Sequence, residues 1–258
     1  MRLLAFLICF VLTFEVQAQN LFFSFGLGSG IDLIRVQDQA SSPLSYRGFG
    51  LPITLEGFGI GEKWLHRAEL SVISSTLSNA YPMRSAVGTE LLTWNKLELN
   101  YHLLRRWKKE SSSFIGVSFR NTAFFREYNF LDGTGWDVQS SLGVSYVRAF
   151  EVSEKTHLYT QATIPMLAYI HRKPDLTLDE AFLDDLYNRS LLSLLKYGRY
   201  KILFNDWLAA NLEVILRTDL SSKLTLQARL GVNYYRITFP ERVSNVNFPI
   251  QCALHYRF

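Results

Sequence analysis

The sequence contains little cysteine and little proline, and after its first residues it has no long apolar run. Cys9 and Cys252 are the only cysteines, and seven prolines are spread over 258 residues. No later stretch reaches the roughly 18 consecutive apolar residues of a membrane-spanning helix, which excludes a helical membrane protein. The histidines lack the spacing of metal ligands, so we predict no metal and no cofactor. They are His66, His102, His157, His171 and His255.

The first residues have the pattern of a secretory signal peptide. A cationic start at Met1-Arg2 precedes an apolar run from Leu3 to Phe14, and Val16-Gln17-Ala18 forms a small-residue cleavage region. The run is too short for a membrane anchor, which needs about 20 residues. We predict a cleaved signal peptide over residues 1–18 and a single domain over 19–258, in which Cys252 has no disulfide partner.

Apolar and polar residues alternate along most of the predicted mature chain, which is typical of strands with two unlike faces. The clearest case runs from Trp136 to Phe150, where Val138 and Val144 point one way and Asp137 and Ser141 the other. Ten segments fit this period. They are 22–35, 45–58, 65–75, 88–103, 114–126, 136–150, 158–170, 200–217, 224–237 and 248–258.

The lengths of the segments and of their connectors favour a membrane barrel. Many segments exceed the five or six residues usual in soluble sheets and suit a tilted membrane crossing. Short connectors at 59–64, 104–113, 151–157 and 218–223 alternate with mostly longer ones at 36–44, 76–87, 127–135, 171–199 and 238–247. We therefore predict an all-β, antiparallel transmembrane β-barrel of about 10 strands, with the short connectors on the periplasmic side.

One connector, 171–199, departs from the strand pattern. Thr177 and Glu180 have the spacing of a capping box, apolar residues follow at helical intervals, and Gly198 suits a helix C-terminus. We predict one amphipathic helix in this extracellular loop. A helix folded over the barrel rim is the simpler interpretation, and docking of a protein partner is the alternative.

The final residues, Leu254-His255-Tyr256-Arg257-Phe258, resemble the assembly signal of bacterial outer-membrane β-barrel proteins. The resemblance covers the predicted mature chain as an architecture, without a specific family, and the Val-Gln-Ala-Gln region looks like that of Bacteroidota proteins. It implies a location in the outer membrane, contact with its lipid and recognition by the barrel-assembly machinery. Leu254, Tyr256 and Phe258 would carry that recognition, and an even strand number would place both termini in the periplasm.

The inward positions of the predicted strands carry charges of both signs. We predict a lumen network of Arg67, Glu69, Lys96, Glu98, His102, Arg120, Glu213 and Arg229. Such charges either form a salt-bridged plug or line a narrow pore. Buried charges need partners, which favours the plug and a structural or accessory role. The alternatives are a narrow channel for small solutes or ions and, less favoured, an enzyme at the barrel rim.

No catalytic cluster stands out in the sequence. Glu98 and His102 lie about 13 Å apart along one strand and form no dyad. Gly26, Gly28 and Gly30 share one strand face, where we expect them to make room for lumenal side chains. The run Arg105 to Lys109 is predicted to form a basic periplasmic turn, either solvated or in contact with anionic lipid. With a net charge of only +4, we predict no nucleic-acid partner.

Overall fold

The computed structural model describes residues 22–38, 42–79, 91–108, 111–128, 133–172, 199–204, 207–238 and 242–258. The described chain forms strands and turns. No helix in it is long and apolar enough to cross a membrane. The strands are β1 (Phe22–Asp38), β2 (Ser42–Ile60), β3 (Trp64–Asn79), β4 (Leu91–Arg106), β5 (Ser113–Tyr128), β6 (Gly133–Ser153), β7 (Thr156–Arg172), β8 (Arg199–Ile202), β9 (Trp207–Asp219), β10 (Leu224–Ile237) and β11 (Val243–Arg257).

All strands belong to one antiparallel sheet that closes on itself. Apart from β8 and β9, which both pair with β7, strands adjacent in sequence pair with each other, and β1 pairs with β11 from Ser24–Arg257 to Asp38–Val243. Closure removes the free edges that invite aggregation, except beside β8 and the first residues of β9. The predicted closed, all-β, antiparallel barrel of ten strands is confirmed.

The eighth position in the wall contains an interruption that the sequence did not indicate. The predicted segment 200–217 forms two strands, because β8 pairs with the end of β7 at Leu167–Ile170 and β9 pairs with β7 only from Asn211 onwards. The β7 side is irregular too, since the register with β6 shifts between Leu142 and Gly143. Phe204 turns the chain with a positive φ of 67°. Eleven strands therefore fill ten positions.

The tight connections lie at one end of the barrel, which we call the turn end and define by residues 61–63, 154–155 and 220–223. At the opposite loop end, four predicted connectors were too long. The strands continue into 36–44, 76–87, 127–135 and 238–247, because residues there pair in ladders with their neighbours. The predicted signal peptide, 1–18, and almost all of the predicted helical loop, 171–199, lie outside the described residues.

The two faces of the wall are as the alternation predicts. Leu27, Ile53 and Val117 are among the outward side chains and are 65, 64 and 58% exposed. Most inward side chains are buried, and they comprise polar residues at mid-height and both apolar and polar residues towards the two ends. The core of the molecule is therefore its lumen.

Candidate functional site

The predicted network residues meet in the middle of the lumen, where β3, β9 and β10 contribute one half of it. Glu69 accepts hydrogen bonds from Arg67 Nη2 at 3.1 Å and from Arg229 Nη2 at 2.8 Å. Arg67 also pairs across the lumen with Glu213 and donates to Gln161 Oε1 at 3.0 Å. Arg67, Glu69 and Arg229 are each at most 5% exposed. Each buried charge thus has an opposite charge beside it, as burial demands.

The other half of the network centres on Glu98. Its carboxylate lies 3.4 Å from Lys96 Nζ and 3.5 Å from Arg120 Nη2, and it accepts a hydrogen bond from Asn100 Nδ2 at 2.7 Å. Arg120 also donates to Asn211 Oδ1 at 2.9 Å, which links β5 to β9. Lys96 and Glu98 are buried, whereas the Arg120 side chain is 23% exposed.

His102 takes part in the network through neutral neighbours. Its Nδ1 lies 3.0 Å from Ser145 Oγ, which in turn lies 2.6 Å from Thr163 Oγ1. Both ring nitrogens are also within 3.2 Å of Gln161 Nε2. His102 therefore acts as one hydrogen-bonding member of a continuous lumen network.

Two further polar clusters lie in the lumen, and neither was predicted from the sequence. Near the turn end, Glu56 accepts from Gln227 and lies 3.5 Å from His255 Nε2, while Arg217 Cζ stacks 3.9 Å from the ring centroid of Phe58. Near the loop end, Arg126 pairs with Asp38 and with Asp137. The alternation places Glu56 and Asp137 on the inward face of the wall. It does not identify the residues that they contact across the barrel.

Ser24, His255 and Glu56 lie in the order of a hydroxyl, an imidazole and a carboxylate. Ser24 Oγ is 3.4 Å from His255 Nδ1. The hydroxyl is otherwise engaged, because it accepts from Arg217 Nη2 at 3.0 Å and donates to the Phe58 carbonyl at 3.4 Å. All three residues are at most 3% exposed, so the described residues shield the hydroxyl from solvent. Gly26 makes room for the imidazole, since a Cβ there would lie 2.5 Å from the His255 ring.

Apolar layers pack at both ends of the polar network, beside the polar clusters at Glu56 and Arg126. The turn-end layer packs inward-facing side chains from seven strands, namely Phe58, Leu65, Leu104, Phe114, Val147, Tyr159 and Ile215. At the loop end two apolar clusters meet at Tyr235, which packs against both. They contain Ile34, Val36, Tyr46, Ile73, Leu77, Leu92, Trp94 and Phe124, and Ala168, Ile170, Trp207, Ala209, Ile237 and Val243.

The space left between these layers is small. Among cavities lined by the described residues, one of about 40 Å³ lies between the network and the loop-end layer, and two others are about 10 Å³ each. A single water needs roughly 10–15 Å³. These cavities therefore suit a few waters, and they are far below the ~300 Å³ of an ordinary ligand pocket. Within the described residues, no group of three or more His, Cys, Asp or Glu side chains could hold a metal ion.

The outer wall has an aromatic patch at the turn end. Phe25 and Phe258 pack edge to face with centroids 5.8 Å apart, and Tyr256 and Phe258 do so at 5.2 Å. Leu254, Tyr256 and Phe258 all face outward, with exposures of 49, 42 and 87%. Arg148 also faces outward, with its guanidinium 5.0 Å from the Phe150 ring centroid. The recognition of the last strand by assembly machinery stays a prediction.

Two arginines of the basic run, Arg105 and Arg106, make different contacts. Arg106 bridges two turns, donating to the carbonyls of Ser111 at 2.8 Å and Glu62 at 2.5 Å. Arg105 instead faces outward with its guanidinium 6.0 Å from the Trp64 ring centroid.

No family model and no curated protein matches this chain. Among solved structures it is similar to the outer-membrane protease OmpT from Escherichia coli, with 10% identity, coverage of 93% of this chain and 96% of that one, and a TM-score of 0.45. The translocator domain of the autotransporter NalP from Neisseria meningitidis gives 12% identity, coverage of 96 and 92%, and a TM-score of 0.46. Both are bacterial outer-membrane β-barrels. Similarity at this level does not indicate an activity. The fold of this chain is assigned from its own strand pairing.

Proposed function

We propose that this chain is an integral β-barrel of a Gram-negative outer membrane, with a sealed lumen and a structural or accessory role. The membrane location is supported by the outward face, where apolar side chains project from a closed wall. In water such a continuous apolar surface would drive aggregation, whereas in lipid it matches its surroundings. Ten of the strands have 13–21 residues, more than the ~9–11 that a tilted crossing requires.

The single observation that carries the sealed lumen is its layering. A polar network in which charges neutralise one another fills the middle of the lumen, apolar clusters narrow it towards both ends, and these side chains would have to move for ions to pass. Moving an ion through an apolar constriction removes its hydration shell at a large free-energy cost. The alternative of a narrow channel is less well supported, because the polar clusters beside the apolar ones, at Glu56 and at Arg126, consist of buried side chains that pair with one another.

The orientation we propose places the turn end and both termini in the periplasm. Short periplasmic turns are the habit of outer-membrane barrels, and ten wall positions return the chain to the side from which it started. The predicted docking of a protein partner through residues 171–199 belongs to the loop end in this orientation, and remains a prediction.

The location is tested by cell fractionation and by gel mobility. We expect the protein in the outer-membrane fraction, and we expect an unboiled sample to migrate differently from a boiled one because a closed barrel resists detergent unfolding. Recovery in the soluble periplasmic fraction, with identical migration before and after boiling, would contradict the proposal.

Sealing is tested separately by solute uptake. Proteoliposomes with the purified protein should swell in a small sugar no faster than protein-free liposomes, while liposomes that contain a general porin should swell rapidly. Swelling that rises with the amount of this protein would support the channel alternative instead.

A further inference from the structure

Two arginines face each other on the outer wall near the loop end. Arg35 of β1 and Arg47 of β2 are direct partners in the antiparallel ladder, and both side chains are exposed. Directly opposite residues have Cα atoms about 4.5–5.5 Å apart, so the two guanidinium groups can reach one common point. Like charges in this position destabilise a sheet, which calls for a counter-ion between them.

The described part of the chain does not supply that counter-ion. Arg35 Nε donates to Ser45 Oγ at 3.2 Å, which is a neutral partner. The two acidic residues of β1, Asp32 and Asp38, are each three positions from Arg35 and point into the lumen, where Asp38 pairs with Arg126. In the lumen, by contrast, Arg67 and Arg229 each pair with at least one carboxylate. Among the described residues, the exposed pair therefore differs from the buried arginines in lacking an anionic partner.

The position of the pair along the wall indicates what the partner is. One step towards mid-height, Leu33 lies between Phe248 and Phe49, and these three apolar side chains are 46–62% exposed. One step towards the loop end, Gln37 lies between Ser244 and Ser45. Same-face residues on a strand are about 6.6 Å apart. The arginine row thus lies where the wall changes from apolar to polar, which is the level of lipid headgroups.

We propose that Arg35 and Arg47 together bind the phosphate group of a phosphorylated glycolipid packed against the outer wall. This inference rests on the proposed membrane location and orientation, because the loop end then faces the leaflet in which such glycolipids lie. Guanidinium groups bind phosphate through paired, charge-assisted hydrogen bonds. The acyl chains of the same lipid would lie along the row of Leu33, Phe49 and Phe248.

The test measures lipid binding to the folded protein in a non-ionic detergent by native mass spectrometry. The probes are lipid A, the same lipid after enzymatic removal of its phosphates, and inorganic phosphate. We expect lipid A to bind the unaltered protein, and the Arg35→Gln and Arg47→Gln variants to bind it about tenfold more weakly. The matched control, Arg148→Gln, removes an outward arginine near the other end and should leave the affinity unchanged.

Comparison of the double variant with the two single variants tests whether the two arginines share one phosphate. The double variant should lose less affinity than the product of the two single losses, because each arginine depends on the same anion. Multiplicative losses would overturn the shared site. Equal binding of the phosphate-free lipid, or an equal loss in Arg148→Gln, would overturn the proposal as a whole. Binding of inorganic phosphate as tight as that of lipid A would overturn the lipid as its source.

Failure of this inference is distinguishable from failure of the proposed function. Each variant is first checked for heat-modifiable migration, which reports on the closed barrel alone. In the absence of lipid, the Arg47→Gln variant should unfold at the same temperature as the unaltered protein or higher, because it removes a repulsion. A barrel that remains heat-modifiable but does not discriminate lipid A from its phosphate-free form overturns only the lipid site.

Discussion

Glu69 is the residue on which the lumen network depends most directly. Its carboxylate contacts both Arg67 and Arg229, and all three side chains are withdrawn from water. A buried ion pair adds little to the stability of the fold compared with an apolar pair of the same shape. Loss of one partner, however, leaves an uncompensated buried charge, which is costly. The same residue thus links β3 to β10 and makes the lumen intolerant of a single charge change.

Replacement of Glu69 by glutamine should therefore destabilise the barrel by about 3 kcal/mol, the scale for loss of one member of a buried pair. Urea unfolding in lipid vesicles, followed by tryptophan fluorescence, measures the change. The matched control is Glu127→Gln on the exposed side of β5, where a change within about 0.5 kcal/mol is expected. Similar shifts in the two variants would contradict the role assigned to Glu69.

The sequence predicts which residues face the lumen but not which of them meet. The period of two places Glu69, Glu98 and Arg229 inward without any structural information. Partners such as Arg67 and Glu213 lie 146 positions apart and are brought together by strand tilt and stagger, which alternation does not encode. The apolar layers escaped prediction for a related reason. Where both faces are apolar, as at Leu103 and Leu104, the alternation disappears.

β7 is the element in which regular pairing breaks down. It changes partner from β9 to β8 between Thr163 and Leu167, and Pro165 within this stretch has no backbone N–H to donate. Trp207–Ala210 of β9 consequently pair with β10 alone, whereas Asn211–Val214 pair on both sides. The sequence shows a proline in a weakly alternating segment. It does not show that the predicted strand 200–217 beside this segment divides into β8 and β9.

Hydrogen exchange should reveal this break within a single strand. We expect the amides of Trp207–Ala210 to exchange about tenfold faster than those of Asn211–Val214, which corresponds to roughly one hydrogen bond. Mass spectrometry of peptides from the detergent-solubilised barrel measures both segments in one sample. Uniform protection along β9 would mean that β7 and β9 pair along their full length.

Closure between β1 and β11 determines the molecule as a whole, because it joins the first strand to the last, whereas the other pairs join strands that are next or next but one in the chain. Ser29 and Cys252 are direct partners in this ladder and both face outward. Their expected Cα separation of about 4.5–5.5 Å lies within the range of disulfide geometry. The native cysteine therefore offers a covalent test of closure.

In a Cys9→Ser background, Ser29→Cys should form a disulfide with Cys252 on mild oxidation. Counting free thiols after unfolding should give none in the oxidised form and two after reduction. Ser74→Cys, outward and exposed on β3, is the matched control and should keep both thiols free. A free thiol pair in the Ser29→Cys protein would show that the first and last strands do not meet.

The central claim is a closed membrane barrel that does not conduct, and electrical recording tests it most directly. Protein that shows heat-modifiable migration is added to a planar lipid bilayer in concentrated salt, with a general porin as the positive control in the same apparatus. We predict that this chain gives no reproducible conductance steps at any applied voltage that the bilayer withstands. Uniform steps that scale with salt concentration and protein amount would contradict it and show that the lumen is open to ions.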